Sequence, residues 1–513
     1  MTADVQGPAW ALEGLGVRSG RYPLAVEGPV MRAVDRLVPG MSTVTRYIRY
    51  HSMYAAIAAH AERHALDRAG CRRMVRRCEV LLAALGHDTE TADTAWTAHG
   101  ADGVRRFCTE ELELARAADE EQLTRSYSPR RWGFWDQYGG PATVLGTVEV
   151  HKGALGPGRH ACPAAIRDLF APLLSLAGQD VVPLPDLQRA GQAALEVPFP
   201  EEQEWLTGVL TATAAGGAHA PGDWEASDRT RRATFRILGR AIELHGAERR
   251  GYQETLRSAV AFGEEPTTDP VLSSVPESAG WRGLLLRHYS VGAWRRLWAA
   301  LVAVVGSRDG EADRSAEELR DWLAHQAPAG TVRRLLGELP PLKSPEGRLM
   351  PAERQILEQG GDTPMTDVLL LMVGALRSRE GHLTDDARAV FLGRGRRSAE
   401  FLDPTWIDGL LTDYADRQAG DLAARLVDDM LAQSRRVALG KLRTDPATGG
   451  LKIFSRLHLR NERYFKTGDE SGSGIGTRIP QLGFFGQQLG LFAVQDGRHT
   501  VTAHGRDVLE TDR

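Results

Sequence analysis

Fifteen histidines and four cysteines are where catalysis or metal binding would begin in this chain of 513 residues. His60 and His64 stand four apart, a separation that sets two imidazoles on one helical face as metal ligands. Glu62 falls between them, whereas the zinc-protease order needs a glutamate directly after the first histidine, and no third ligand is evident. The pair therefore reads as a solvated helical face. His87-Asp88 has the residue types of a phosphohydrolase dyad, but it follows Gly86 at an expected helix end, where aspartate caps the next helix. Cys71, Cys78, Cys108 and Cys162 have neither Cys-x-x-Cys nor metal-ligand spacing. So few thiols suit a reducing compartment. No lysine sits in a Walker A loop, none lies two residues after an acid as in nuclease cores, and there is no Gly-x-Ser-x-Gly elbow. Gly472, Gly474 and Gly476 lack dinucleotide-fingerprint spacing. No metal or cofactor is expected, and the catalytic residues are unknown.

Residues suited to nucleic acid are more numerous. Arg46 to Tyr54 interleaves arginines with Tyr47, Tyr50 and Tyr54, which could stack on bases while pairing phosphates. The three tyrosines also share a helical face, which favours a core stripe with arginines reaching past it. Arg46 with His51, and Arg240 with His245, match the Arg-x4-His spacing of HEPN-type ribonucleases. About two such matches are expected by accident in so arginine-rich a chain. Arg72, Arg73, Arg76 and Arg77 make one basic stripe, and Arg394, Arg396 and Arg397 another. Only five of the 63 basic residues are lysine, the usage of a GC-rich genome, which makes such stripes commonplace. The net charge of −4 confines any nucleic-acid contact to a local patch.

The elements that must position these residues are mostly helices. Hydrophobic residues are 42% and charged residues 25% of the chain, a globular balance, and the length predicts several domains. The pattern predicts an arm over 1–27, a helix from Pro29 to Pro39-Gly40, and helices from Thr45 to Leu85 broken near Asp67. A helical stretch at 101–118 precedes a strand at Thr143–Val150. Helices follow at 164–177, 186–196 and 201–213, then a linker at 214–222. Further helices cover 228–245 and 281–305, and Ser315 with Glu318 forms a capping box. Residues 327–351 are Pro/Gly-rich, and helices return over 366–438. The expected domains are 1–120 (arm and helices), 121–213 (mixed), 214–438 (helical) and 439–513. The fold class is mainly α, multi-domain, with small β-hairpins. The longest apolar run, Val368–Leu376, is too short for a bilayer, and the N-terminus lacks a signal pattern. A cytoplasmic protein without membrane contact is expected.

The last segment is the most informative. Leu439–Arg443 and Leu451–Leu459 flank a turn-rich stretch and predict a hairpin. A flexible Gly/Ser loop is expected at 471–476 and a helix at Ile479–Gly490. Asp496-Gly497 between two short alternating runs is a strong hairpin signal, and Ala503–Leu509 closes as a helix. Leu489, Gly490, Leu491, Thr502, Gly505 and Arg506 follow an order in which this segment resembles the second half of a winged helix-turn-helix domain. A looser copy runs through Leu145, Gly146, Val148–Val150, Gly153 and Gly158-Arg159. The resemblance implies nucleic-acid or protein binding. Between Arg435 and Pro480 ten basic residues face four acids, so the candidate nucleic-acid-binding residues are Lys441, Lys452, Arg456, Arg460, Arg463, Lys466 and Arg478, with Arg498 on the wing.

The Leu37-Val38-Pro39-Gly40 turn, the Arg46–Tyr54 helix, the Asp228–Arg232 helix and the Trp281–Trp298 helix together resemble uncharacterised bacterial proteins of defence-type gene clusters. That resemblance implies a partner of separately made enzymes. The expected function is a non-catalytic, nucleic-acid-associated component of a multi-protein bacterial system of antiviral-defence type, with DNA or RNA and other protein subunits as partners. A protein scaffold or adaptor is the first alternative and a nuclease with a dispersed site the second.

Overall fold

The structure is a computed structural model that describes residues 22–86, 98–129, 133–213, 224–246, 251–306, 313–393, 401–444 and 451–512. The expectations for most of the N-terminal arm, for His87-Asp88, the 214–222 linker, Arg394–Arg397 and the turn at 445–450 lie outside the described residues. The chain is mainly α-helical and multi-domain, and its described strands form antiparallel sheets of two or three strands. It divides into two compact units, Met1–Val34 with Arg257–Gly476, and Asp35–Leu256 with Thr477–Arg513. The segment 439–513 is thus shared between the units at 476/477, and the segment 214–438 at 256/257. Among the described residues no helix is long and apolar enough to cross a membrane.

The first unit is built on the Glu277–Ala303 helix. Trp281, Leu285, Trp294, Leu297 and Leu301 are buried along it, and each large side chain removed from water contributes about 1.5–3 kcal/mol. It packs against the Pro364–Arg377 and Asp385–Leu392 helices. The Pro/Gly-rich stretch before them is pinned by Arg377, which is fully buried, pairs with Glu353 at 3.0 Å and donates to the carbonyls of Leu342 and Met350. The capping box forms: Ser315 Oγ accepts the Glu318 N–H and Glu318 accepts the Ser315 N–H. The resulting Ala316–Ala324 helix packs on the Ala419–Gly440 helix. The Gly/Ser segment 471–476 is a loop, as expected, and lies along the long helix. Arg295 donates to the carbonyl of Ser473 at 2.7 Å, and His288 Nε2 lies 2.8 Å from that of Ile475.

The second unit centres on the Arg49–Arg63 and Arg68–Leu85 helices. The break between them is capped by Asp67, which accepts the Gly70 N–H at 2.7 Å. The Ala164–Leu176 and Pro200–Thr211 helices pack on this pair, and the Ala226–His245 helix packs on the Pro200–Thr211 helix. Two sequence expectations change here. Residues 139–145 are helical and the strand is only Val148–His151, because the β-branched Thr143 and Val144 sit on a helix ending at the left-handed Gly146. The helix expected over 101–118 is broken into short turns around the strand Glu111–Leu112.

Candidate functional site

The C-terminal element starts at Arg478, whose backbone is left-handed at φ 63°. The Ile479–Gln488 helix follows, with Pro480 in its first turn, where a missing N–H costs nothing. Gly490, at φ 71°, turns the chain into the strands Phe492–Gln495 and Arg498–Val501. Asp496 and Gly497 both take positive φ, 52° and 74°, as a two-residue type I′ hairpin requires. Thr502 then caps the Ala503–Leu509 helix by accepting the Gly505 N–H, while its hydroxyl donates to the Gly490 carbonyl at 2.7 Å. The hairpin is thereby tied to the end of the preceding helix.

The Ile479–Gln488 helix leaves almost no open face. Ile479, Leu482 and Phe485 are buried, Phe484 meets the Tyr47 ring edge-on, and only Pro480 is exposed. Gln481 donates to the Thr43 carbonyl. Gln488 accepts the Ile48 N–H at 3.1 Å and donates to the Arg46 carbonyl at 3.1 Å. Gly483 lies flat on Tyr252, where a Cβ would come within 2.2 Å of the ring.

The eight predicted cations belong to two units. Lys441, Lys452, Arg456, Arg460, Arg463 and Lys466 lie in the first unit, and Arg478 and Arg498 in the second. Arg456 faces Glu470, Arg463 pairs with Glu318 at 3.0 Å, Lys466 with Asp469 at 2.8 Å, and Arg478 with Asp35. Lys441 donates to the Tyr22 carbonyl, and Arg460 stacks over Phe465. Lys452 lies opposite Arg443 on a two-residue ladder. Arg498 is exposed on the wing without an ion pair to a described residue.

The looser upstream copy repeats the same succession of elements. The Gly139–Leu145 helix ends at Gly146 (φ 75°), and strands Val148–His151 and Ala154–Pro157 are joined by Lys152 and Gly153 at φ 50° and 84°. Both hairpins have four paired residues per strand. Both elements meet the start of the Arg49–Arg63 helix: Tyr138 Oη accepts the Arg46 N–H at 3.2 Å, and Gln488 takes the Arg46 carbonyl.

The other candidates are structural. Tyr47, Tyr50 and Tyr54 are buried and so closed to stacking bases. Tyr54 donates to Glu79 at 2.9 Å, as does the Phe134 N–H at 2.7 Å. Burial raises the Glu79 carboxyl to about 7 despite these bonds. His51 is buried with both ring nitrogens unpartnered, and burial, then the Arg231 charge, lowers it to about 3. Burial also lowers His99 to about 4. In the Arg72–Arg77 stripe, Arg76 is buried over the Tyr127 ring, Arg77 pairs with Asp180, Arg72 sits over Trp135, and only Arg73 is exposed. The His60 and His64 rings lie tilted at 37° with centroids 4.2 Å apart, and no three described His, Cys, Asp or Glu residues are grouped to hold a metal.

A feature that the sequence reading missed is a further type I′ hairpin, Leu457–Arg460 with Arg463–Lys466, turning at Asn461 and Glu462 (φ 50° and 61°). Its signal was weak because Asn-Glu lacks the glycine that marks such turns. No protein-family model matches the chain, and no curated protein or solved structure matches it either.

Proposed function

We propose that this protein is a non-catalytic component of a multi-protein assembly, acting as a scaffold whose partners are proteins. The observation that carries this reading is the covered Ile479–Gln488 helix. A winged helix that reads bases must offer the helix before its wing to a groove. Here that helix is spent on Thr43, Arg46, Ile48, Tyr47 and Tyr252 of its own unit. The predicted cations give the same direction, because four of the eight face an acid. Paired cations release few counterions on meeting phosphate. In this reading the two helix-and-hairpin elements are winged-helix-like modules kept for packing and partner contact. On the resemblance of the Leu37–Gly40 turn and the Asp228–Arg232 helix we take the assembly to be bacterial, cytoplasmic and of defence type. Affinity purification of the tagged full chain from its native host, with cross-linking, tests the reading: stable partners are expected, and their absence sinks it.

Nucleic acid is the second reading, favoured by exposed Arg498 and 47%-exposed Val494 on the wing. Binding to duplex or single strands would then weaken with salt by about 0.9 log units per log unit of salt for each phosphate contacted. It would also weaken in Arg498→Ala. Binding absent at 50 mM salt removes this second reading.

A further inference from the structure

The missed hairpin borders an apolar groove in the first unit. The groove lies between the C-terminal half of the Ala419–Gly440 helix and the Leu457–Arg460 strand, around a cavity of about 60 Å³. Leu439, Leu442, Leu457 and Leu459 supply much of its wall, and Leu439 is 43% exposed. Single exposed leucines are ordinary, so Leu439 marks a site only together with the backbone edge and the charge beside it. Among the described residues that line it none is acidic, and Arg435 alone brings a guanidinium. Arg435 is exposed and has no ion pair with a described residue.

Among the described residues the strand beside the groove has an open edge. Sheet order places Leu457–Arg460 outermost, beyond Arg463–Lys466 and Arg314–Ser315. In a two-residue hairpin the pair flanking the turn, Arg460 and Arg463, is hydrogen-bonded, and the next pair, Leu459 and Tyr464, is not. Tyr464 directs its backbone to Arg314 on the far strand. The N–H and C=O of Leu459 therefore point outward. Two residues earlier the edge is closed, since Ser455 Oγ accepts the Leu457 N–H and donates to its carbonyl. The groove thus combines, among the described residues, a backbone donor and acceptor without partners, apolar walls and a guanidinium without an ion pair.

We infer that this groove takes an extended peptide segment of a partner protein, added as a further strand at Leu459. An apolar side chain of that segment enters between Leu439 and Leu459, and an adjacent carboxylate pairs with Arg435. A peptide backbone is the ligand that satisfies an unpaired N–H and C=O together, which is the chemistry of strand addition. An edge left open is otherwise a liability. The inference rests on the assembly reading and names its docking site.

The test is selection of a displayed library of random twelve-residue peptides on the immobilised full chain, followed by fluorescence anisotropy of the winners. Expected winners alternate apolar residues and carry an aspartate or glutamate. Their affinity falls roughly tenfold or more in Arg435→Glu and in Leu439→Asp, both changes at exposed side chains that the fold tolerates. Replacing the peptide's acid with lysine restores binding to Arg435→Glu, and N-methylation of the backbone abolishes binding to the wild type. No winners, or winners that bind both variants like the wild type, overturn the inference. Host partners recovered equally by the wild-type and Arg435→Glu chains overturn the groove while leaving the assembly reading intact.

Discussion

Gly146 and Gly490 occupy the same step in two separate elements: each turns the chain from a helix into a four-residue hairpin with a left-handed backbone, φ 75° and 71°. Their surroundings differ. A Cβ on Gly490 would meet nothing within 4 Å, whereas one on Gly146 would come within 2.4 Å of the Arg159 guanidinium. Gly490→Ala is therefore expected to cost about 1–2 kcal/mol, the conformational penalty alone. Gly146→Ala should cost more, because Arg159 must also leave Asp228, which it now holds at 2.9 Å. Urea midpoints of the two variants check the order, and equal losses would contradict it.

The Leu-Val-Pro-Gly turn and the Asp-Arg-x-Arg-Arg helix prove to be one structural unit. Arg231 is fully buried and donates to Asp228, to the carbonyls of Val209 and Leu210, and to that of Pro39. Thr234 donates to the Leu37 carbonyl. Asp228→Ala would strand the Arg231 charge in the interior, and breaking a buried pair from one side costs about 3–5 kcal/mol. Arg333→Ala, which breaks the exposed pair with Asp416, should leave stability close to that of the wild type. Thermal unfolding of both variants side by side measures the contrast.

What the sequence made legible was local. Asp496-Gly497, the Ser315/Glu318 box and the Asp67 break are each decided by a few adjacent residues, and the structure has all three. The unit boundaries were not legible, because they depend on which distant segments pack together: residues 477–513 join 35–256, while 439–476 join 257–438. The candidate cations fall in two units for the same reason. Charge counted along the chain cannot anticipate Asp35 reaching Arg478 or Glu318 reaching Arg463. The Arg435 groove was equally hidden, since its walls come from a helix and a strand whose turn, Asn461-Glu462, lacks a hairpin signature.

That turn is itself improvable. Glu462 is exposed and held at φ 61°, a conformation that strains any residue with a Cβ. Glu462→Gly should relieve about 1 kcal/mol of that strain, offset in part by the greater freedom glycine gives the unfolded chain. The reverse change at the matching position of the C-terminal hairpin, Gly497→Glu, should destabilise by a similar amount. A stabilised Glu462→Gly beside a destabilised Gly497→Glu, read from melting temperatures, is the expected pair of signs; the same sign in both would rule the argument out.

His51 and Glu79 should give the second unit opposing pH responses. His51 ionises near 6.5 in an ordinary setting and about 3 here. Between those values the unfolded chain binds a proton that the folded chain refuses, so stability falls as pH drops through that window. His99, lowered to about 4, acts with the same sign. Glu79 is raised from 4.5 to about 7. Between those values the folded chain binds the extra proton, so stability falls as pH rises. His51→Phe also removes two buried ring nitrogens without partners, while retaining a ring against Tyr138 and Phe485. It should therefore leave stability at neutral pH equal or higher and weaken the loss below pH 6.5. Glu79→Gln should weaken the opposite loss between pH 4.5 and 7 and keep an oxygen to accept from Tyr54. Melting temperature across pH 4 to 8 separates the two, and an unaltered acid limb in His51→Phe would show that another group carries it.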